Sequence, residues 1–186
     1  MTLPPFASDL ATSGSGTPPR PMNEAQFEAL YRSTARSIWA YIYRLTGDAS
    51  MSDDLLQKTF IRFLRANPVL AGDEHVRRYL FRTATTVVFD YFREAKRERD
   101  HVLPPFEAAG ETDARDLRYD MRRVFSELKP QERALLWLAH VEGADHNEIG
   151  ETLGVKSPSV RVLLFRARKR LRALLSKHGL GPEVTR

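Results

Sequence analysis

Residues 146–171 read HNEIGETLGVKSPSVRVLLFRARKRL, a pattern typical of two short helices joined by a tight turn. Two helices that cross steeply need a small residue where they touch and a glycine in the turn, and Gly150 and Gly154 stand at those places. We expect four apolar residues to hold the pair together: Ile149, Leu153, Val155 and Val160. The stretch therefore predicts a helix-turn-helix.

The second of these helices carries the apolar run VRVLLF, which begins at Val160. On a helix of about 3.6 residues per turn, one face of this segment is apolar and is expected to be core. That face consists of Val160, Leu164, Ala167, Leu171 and Leu174, with Leu163 at its edge. Val162, Phe165 and Lys169 point the opposite way and are expected to be displayed. Val162 and Phe165 could contact thymine methyl groups in a major groove, bind a protein that competes with DNA, or pack against another part of the chain.

Charge is distributed unevenly along the chain. Residues 156–177 contain eight basic side chains and no acidic one, and a second basic cluster, FREAKRER, occupies residues 92–99. The segment between them, residues 100–120, has six acids against two arginines. Two basic faces joined by an acidic connector indicate a polyanion contacted at two places, with a pair of solvated helix faces as the alternative.

Composition bounds the class of protein. The chain has 186 residues, a net charge of +5 and 42% hydrophobic residues, which suits one domain or two small ones. No apolar run approaches the roughly 18 to 20 residues that a bilayer crossing needs, so we expect no membrane insertion. The N-terminus has no basic flank followed by an apolar segment, so we expect no secretory signal and a cytoplasmic location.

The residues that usually carry chemistry are sparse. The chain has no cysteine, which excludes disulfides, thiolate nucleophiles and cysteine zinc sites. Its five histidines are scattered, and none has a partner at the spacing of a metal motif, so we expect neither metal nor cofactor. Asp53 and Asp54 are sequence neighbours at one helix start and cannot converge on a substrate. The sequence therefore predicts no enzyme.

Helix signals divide the chain into an all-α protein of two small bundles joined by a flexible linker. Residues 1–22 hold five of the eleven prolines and are expected to be a disordered leader. Asn23 is expected to cap the first helix, Gly47 to end it and Ser52 to cap the second. A third helix is expected over about residues 76–99. The predicted units are a helical domain at 23–99, an acidic linker at 100–116, a helix-turn-helix domain at 117–176 and a tail at 177–186.

Together these segments resemble an extracytoplasmic-function sigma factor of the sigma-70 family. The resemblance is carried by SDDLLQKTFIRFLR (52–65), YLFRTATTVVFDYFRE (79–94) and ELKPQERALLWLAHVEGADHNEIGETLGVKSPSVRVLLFRARKRLR (127–172), in that order, and covers about residues 24–176. It implies a dissociable initiation subunit of bacterial core RNA polymerase without catalysis of its own. An anti-sigma factor that holds it inactive is a further implied partner.

The resemblance also implies three sets of contact residues. The helix over residues 53–65 would dock on the polymerase through Asp54, Leu55, Gln57, Phe60 and Arg62. For Leu55 and Phe60, packing in the core is the alternative, because both belong to an apolar stripe of this helix. The loop at 67–74 and the helix after it would read and open the minus-ten promoter element through Asn67, Asp73, Arg77, Arg78, Tyr79, Arg82, Thr85, Thr86, Asp90 and Arg93. The recognition helix would read the minus-thirty-five element through Lys156, Ser157, Ser159, Arg161, Val162, Phe165, Arg166, Arg168 and Lys169.

Two other classes of function compete with this one. A conventional helix-turn-helix regulator would bind duplex DNA unaided, with the N-terminal bundle serving dimerisation. Such proteins usually recognise DNA as symmetric dimers, whereas this chain has two different basic surfaces. An enzyme is the third class, and no nucleophile and base stand in a pattern that supports it.

Overall fold

The computed structural model describes residues 22–69, 72–101 and 117–180, and every regular element in those ranges is an α-helix, which confirms the predicted all-α class. The helices are α1 (Glu24–Thr46), α2 (Ala49–Ala66), α3 (Asp73–His101), α4 (Leu117–Ser126), α5 (Pro130–His140), α6 (His146–Leu153) and α7 (Ser157–Lys177). None of these helices combines the length and the apolar composition that a bilayer crossing requires. All of the predicted leader except Met22, most of the predicted linker and residues 181–186 of the tail lie outside the described residues.

The ends of α1 follow the sequence prediction. The Asn23 side chain accepts the Gln26 N–H at 2.9 Å, and the Gln26 side chain accepts the Asn23 N–H at 3.0 Å. This reciprocal capping box satisfies two backbone donors that the first turn leaves free. The helix ends at Gly47, whose φ of 79° lies in the left-handed region that glycine adopts without strain.

The start of α2 differs from the prediction. Asp48 is the N-cap, because its side chain accepts the Met51 N–H at 2.9 Å. Ser52 is buried inside the helix and bonds to the Asp48 carbonyl instead of capping. The prediction of a Ser52 cap was wrong because an aspartate at a competent position stands one turn earlier. Asp53 and Asp54 consequently lie beyond the first turn, where the helix dipole has little effect.

The segment between α2 and α3 is shorter than predicted. Asn67 ends α2 in the left-handed conformation, with φ 39°, and its N–H bonds to the Phe63 carbonyl at 3.1 Å. Helix α3 then begins at Asp73, three residues before the predicted start. Asp73 and Glu74 form its acidic first turn, which the helix dipole favours.

Helices from both halves of the chain bury one continuous apolar core. Ile38, Tyr41 and Leu45 from α1 and Leu80 and Val88 from α3 belong to the same cluster of buried side chains as a set from the C-terminal half: Ala134, Leu135, Leu138, Ile149, Val160 and Leu164. A smaller cluster joins α4, α5 and α7 through Val124, Leu128, Leu136, Ala167 and Leu174. The sequence divides the chain at an acidic linker, but it does not indicate that α1 and α3 pack against α5 and α6.

The helix-turn-helix has the predicted construction. A Cβ atom at Gly150 would lie 2.8 Å from the Val155 carbonyl oxygen, so only glycine lets the two helices approach this closely. Gly154 makes the turn with φ 66°. Ile149 and Val160 are fully buried, and Leu153 and Val155 pack against the same core. Asp145 caps α6 through the N–H groups of Asn147 and Glu148.

Candidate nucleic-acid interface

Helix α7 displays one polar and basic face with two large apolar residues in it. Val162 is 49% exposed and Phe165 is 67% exposed, whereas Val160, Leu164 and Ala167 are fully buried or nearly so. Leu163 is half-buried at the edge, and Lys169 is exposed. The predicted division of the VRVLLF run is confirmed. It also shows that Val162 and Phe165 do not pack into the core of this chain.

The remaining predicted minus-thirty-five residues surround this pair. All are exposed except Ser157, which is half-buried at the helix start: Lys156, Ser159, Arg161, Arg166 and Arg168. Arg168 donates to the His140 ring at 3.2 Å. Among the described residues no carboxylate lies within ion-pair distance of Arg161, Arg166 or Lys169, whereas the neighbouring Arg170 has Glu132 at 3.6 Å. We define the recognition face as Arg161, Val162, Phe165, Arg166 and Lys169.

The first turns of α3 bring two predicted minus-ten arginines to acids of the C-terminal half. Arg77 forms an ion pair with Glu142, in the turn between α5 and α6. Arg78 pairs with Glu148 of α6 at 2.9 Å. We call these four side chains the charge cluster. No pattern in the sequence indicates it, because its two members from the C-terminal half are acids in a segment assigned to DNA binding.

The two carboxylates of the charge cluster are held in place by their own neighbours. The Glu142 side chain is only 7% exposed and also accepts the Trp137 indole N–H at 3.0 Å. Glu148 is 25% exposed, and its second oxygen accepts the Asp145 N–H at 2.9 Å within the α6 capping box. Partial burial strengthens such pairs relative to solvent-exposed ones. Arg77 further lies over the Phe81 ring at 5.5 Å.

Thr85 and Tyr79 pack mainly against other parts of the protein and are little exposed. Thr85 is 2% exposed, and its hydroxyl bonds to the Tyr41 hydroxyl at 2.7 Å and donates to the Phe81 carbonyl at 2.7 Å. A direct base contact by Thr85 is therefore contradicted, because the residue falls on the inner face of α3. Burial raises the pKa of Tyr41 above its ordinary value. Tyr79 is half-buried, with its ring 5.9 Å from that of Phe63.

The other predicted minus-ten residues lie on α3, apart from Asn67, which ends α2. Thr86 is exposed, and its hydroxyl donates to the Arg82 carbonyl at 3.0 Å. Asp90 pairs with Arg93 and, at 3.0 Å, with Arg62 of α2. Of the three remaining positions, Asp73 is exposed, while Asn67 and Arg82 are half-buried. The structure thus spreads this set over several surfaces, with only part of it accessible.

The predicted polymerase-docking set also divides by burial. Asp54, Gln57 and Arg62 are exposed on α2. Leu55 is 1% exposed, which contradicts a surface contact by this residue. Phe60 is only 3% exposed, although it lines an apolar groove beside Gln57. Both fall on the side of α2 that packs in the core. The groove is also lined by Tyr31, Ile61 and Leu64, which are each about two-fifths exposed.

Arg133 joins the two halves and was not anticipated from the sequence. Its guanidinium donates to the Leu45 carbonyl at the end of α1 at 2.6 Å, and to the Ser126 and Leu128 carbonyls at 2.7 and 3.0 Å. Burial lowers the pKa of this arginine from its ordinary value. Carbonyls at helix ends lack partners within the helix, so one cation satisfies two such ends.

The chain matches two family models in the order of its two halves. Residues 30–98 match Sigma-70 region 2, and residues 118–171 match Sigma-70, region 4. The chain belongs to the extracytoplasmic-function group of the sigma-70 family. Region 2 of this sigma factor thus comprises most of α1, α2 and α3, and region 4 contains the helix-turn-helix. The charge cluster joins region 2 to region 4.

Curated sigma factors are similar to this chain over most of its length. The ECF RNA polymerase sigma factor SigE of Mycolicibacterium smegmatis is 32% identical over 163 residues, which are 82% of this chain and 62% of SigE. SigM of Bacillus subtilis is 26% identical over 158 residues, 81% of this chain and 95% of SigM. This sigma factor therefore spans less than two thirds of one relative and nearly all of the other.

A solved structure supports the fold. The sigma factor RpoE from Bartonella quintana, crystallised in complex with the anti-sigma factor NepR, superposes with a TM-score of 0.66 at 19% identity. The match covers 86% of this chain and 98% of RpoE. The likeness shows the all-helical fold of this sigma factor.

Proposed function

We propose that this protein directs promoter-specific initiation by bacterial core RNA polymerase, with α2 docking on the polymerase, α3 reading and opening the minus-ten element, and α7 reading the minus-thirty-five element. The observation that carries the proposal is the exposed recognition face of α7, in a chain that matches both sigma-70 regions. Because polymerase and promoters are cytoplasmic in bacteria, the protein would act there.

The recognition face suits a major groove in both charge and shape. Arginine side chains bind guanine edges in a bidentate manner, and apolar side chains contact thymine methyl groups. Arg161 and Arg166 are exposed beside Phe165, while Arg168 and Lys156 stand where they could bind phosphates. Many family members have serine and arginine at the positions of Val162 and Leu163. Because this chain lacks those two polar side chains, base reading would depend on Arg161, Phe165 and Arg166.

The minus-ten contacts would come from the accessible part of the predicted set. Arg77, Arg78 and Arg82 supply positive charge at the start of α3, and Thr86 and Arg93 are exposed further along it. Separated strands are bound by basic grooves and by stacking of bases on aromatic rings. Tyr79 is a half-buried aromatic ring near the start of α3. Thr85 is left out of the proposed set because it is buried.

The docking surface would consist of Asp54, Gln57 and Arg62, extended by the neighbouring apolar groove. Exposed apolar residues that lie together usually mark a protein-binding surface. Ile61 and Leu64 are such residues, and they lie on the same helix as the three polar ones. We include both of them in the proposed polymerase contact.

Run-off transcription with purified bacterial core polymerase and a set of candidate promoter templates tests the function. We expect transcripts only when this protein and core are both present. Tight binding to duplex promoter DNA without core, together with no transcript in any reaction, would identify a stand-alone helix-turn-helix regulator instead.

A docking variant sharpens this experiment. Asp54→Ala with Gln57→Ala should weaken binding to core more than tenfold by fluorescence anisotropy. Glu28→Ala with Ser33→Ala is the matched control, since it also removes one acid and one polar side chain from exposed helix positions. Equal losses in the two variants would refute the assigned docking surface.

An anti-sigma factor is a further proposed partner. RpoE of Bartonella quintana is solved in complex with the anti-sigma factor NepR. Binding of such a protein to the apolar groove of α2 or to the recognition face would compete with polymerase or with promoter DNA. Co-purification with the affinity-tagged protein, followed by mass spectrometry of the bound partners, would identify it.

A further inference from the structure

In the charge cluster, two carboxylates form ion pairs with arginines to which the proposed function gives a role in DNA binding. Arg77 and Arg78 are the first basic residues of α3, and each has a glutamate of region 4 as its partner. A guanidinium binds a carboxylate and a phosphate through the same fork of N–H groups. Glu142 and Glu148 therefore bind the guanidinium N–H groups that a promoter phosphate would otherwise bind.

These carboxylates are positioned before they meet the arginines. Glu142 is held by the Trp137 indole, and Glu148 is fixed at the α6 N-terminus by its bond to the Asp145 N–H. A group that is already oriented loses little conformational entropy when it binds, so it competes effectively with a ligand from solution. The shared apolar core and Arg133 keep region 4 against region 2 while it does so.

We propose that Glu142 and Glu148 are built-in competitors of promoter DNA, which keep the minus-ten surface of the free protein in a low-affinity state. This inference rests on the proposed function, because it requires Arg77 and Arg78 to contact DNA. DNA must displace the two carboxylates, so its apparent dissociation constant is the intrinsic one divided by the fraction of molecules in which the arginines are released.

Substitution of both glutamates by glutamine tests the competition. Glutamine keeps the oxygen that accepts the Trp137 and Asp145 N–H groups but removes the charge that holds the arginines. We expect Glu142→Gln with Glu148→Gln to bind a fluorescein-labelled, random-sequence 20-nucleotide single strand about tenfold more tightly than the unmodified protein, by fluorescence anisotropy without core. Melting followed by circular dichroism checks that the variant is folded.

The matched control removes the same two charges elsewhere. Glu24→Gln with Glu28→Gln raises the net charge equally, at exposed positions of α1, and should change affinity less than twofold. A tenfold gain in both variants, or in neither, would overturn the proposal. The gain should also disappear when Arg77→Ala and Arg78→Ala are added to the glutamine variant. A gain that survives their removal would overturn it as well.

Transcription separates this inference from the function on which it rests. With core present, the glutamine variant should initiate at the level of the unmodified protein, because neither glutamate is assigned to DNA or polymerase. Absence of transcript from the unmodified protein would refute the proposed function. Normal transcript together with unchanged free-state affinity in the glutamine variant would refute only the competition.

Discussion

The sequence predicts DNA binding by two basic helices of this sigma factor, α3 and α7. In the structure, the basic side chains of these helices differ in how accessible they are. The recognition face of α7 is exposed, and its cations Arg161, Arg166 and Lys169 have no acid within ion-pair distance in the described residues. On α3, by contrast, Arg77 and Arg78 are paired with Glu142 and Glu148. Positive charge on a helix therefore does not indicate how accessible that charge is, because accessibility depends on what the fold brings opposite it.

The largest expected effect concerns what holds the recognition face in place. Leu164→Ala should destabilise the protein by roughly 2 to 5 kcal/mol, because this fully buried side chain contacts the core shared by both halves. Urea denaturation measures the loss. Phe165→Ala, one residue further and two-thirds exposed, is the control and should change stability by less than about 0.5 kcal/mol. Equal effects would mean that the two faces of α7 are assigned wrongly.

The next effect distinguishes the inner from the outer side of α3. Thr85→Val leaves the buried Tyr41 hydroxyl without its partner and should cost about 1 to 3 kcal/mol of folding free energy, measured by thermal or urea unfolding. Thr86→Val, at an exposed position, should leave stability nearly unchanged. If Thr86→Val lowers open-complex formation while Thr85→Val does not, the outer side of α3 is the one that meets DNA. The reverse result would contradict the burial argument.

A third effect concerns reading by α7. Arg161→Ala or Phe165→Ala should each raise the free energy of promoter binding by about 1 to 3 kcal/mol, seen as reduced run-off transcription with unchanged melting temperature. Ser176→Ala, an exposed substitution near the end of the same helix, serves as the control. A variant that retains full promoter use at elevated salt, where phosphate contacts are weakened, would exclude its side chain from base reading.

The smallest expected effect is at the C-terminal end of α7. Glu127 accepts a hydrogen bond from Lys177 at 2.9 Å and contacts the His178 ring. These two partners hold the pKa of Glu127 below its ordinary value of 4.5. The stabilisation is therefore complete above that value and is lost as the pH falls through the lowered pKa of the folded protein. The protection factors of the amides in the last turn of α7 against hydrogen exchange should fall in that acidic range, and Glu127→Gln should abolish this pH dependence of the protection factors.

Local patterns explain why much of this fold was predictable. Asn23 and Gly47 bound α1 because caps act within a few residues, and Gly150 and Gly154 define the turn of the helix-turn-helix for the same reason. The inward and outward sides of α7 followed from helical periodicity. The prediction of a Ser52 cap was wrong because Asp48, a second residue able to cap, stands four positions earlier. Only the path of the backbone decides which of the two accepts the free N–H groups of the first turn.

Burial was the weaker part of the site prediction. Leu55, Phe60 and Thr85 were placed on binding surfaces by resemblance, and all three are in the core. Resemblance assigns a role to a segment of helix, but the side of the helix that faces a neighbour depends on how the helices pack. The apolar stripe of α2 already indicated core packing as the alternative for Leu55 and Phe60. For Thr85 the apolar stripe of α3 gave the same signal, because Phe81 stands four residues before it and Val88 three residues after it. Only its hydrogen bond to Tyr41, 44 positions away, could not be predicted from local spacing.

The sequence by itself determined the all-α class, the helix-turn-helix, the two faces of α7 and the kinship with sigma factors, since each depends on residues that are close along the chain. Only the tertiary structure decided that the two halves share a core, that Arg133 joins them and that Glu142 and Glu148 lie on Arg77 and Arg78. These contacts connect residues far apart in sequence. No local periodicity or spacing records such a pairing, because it arises only when helices of both halves bury their apolar faces together.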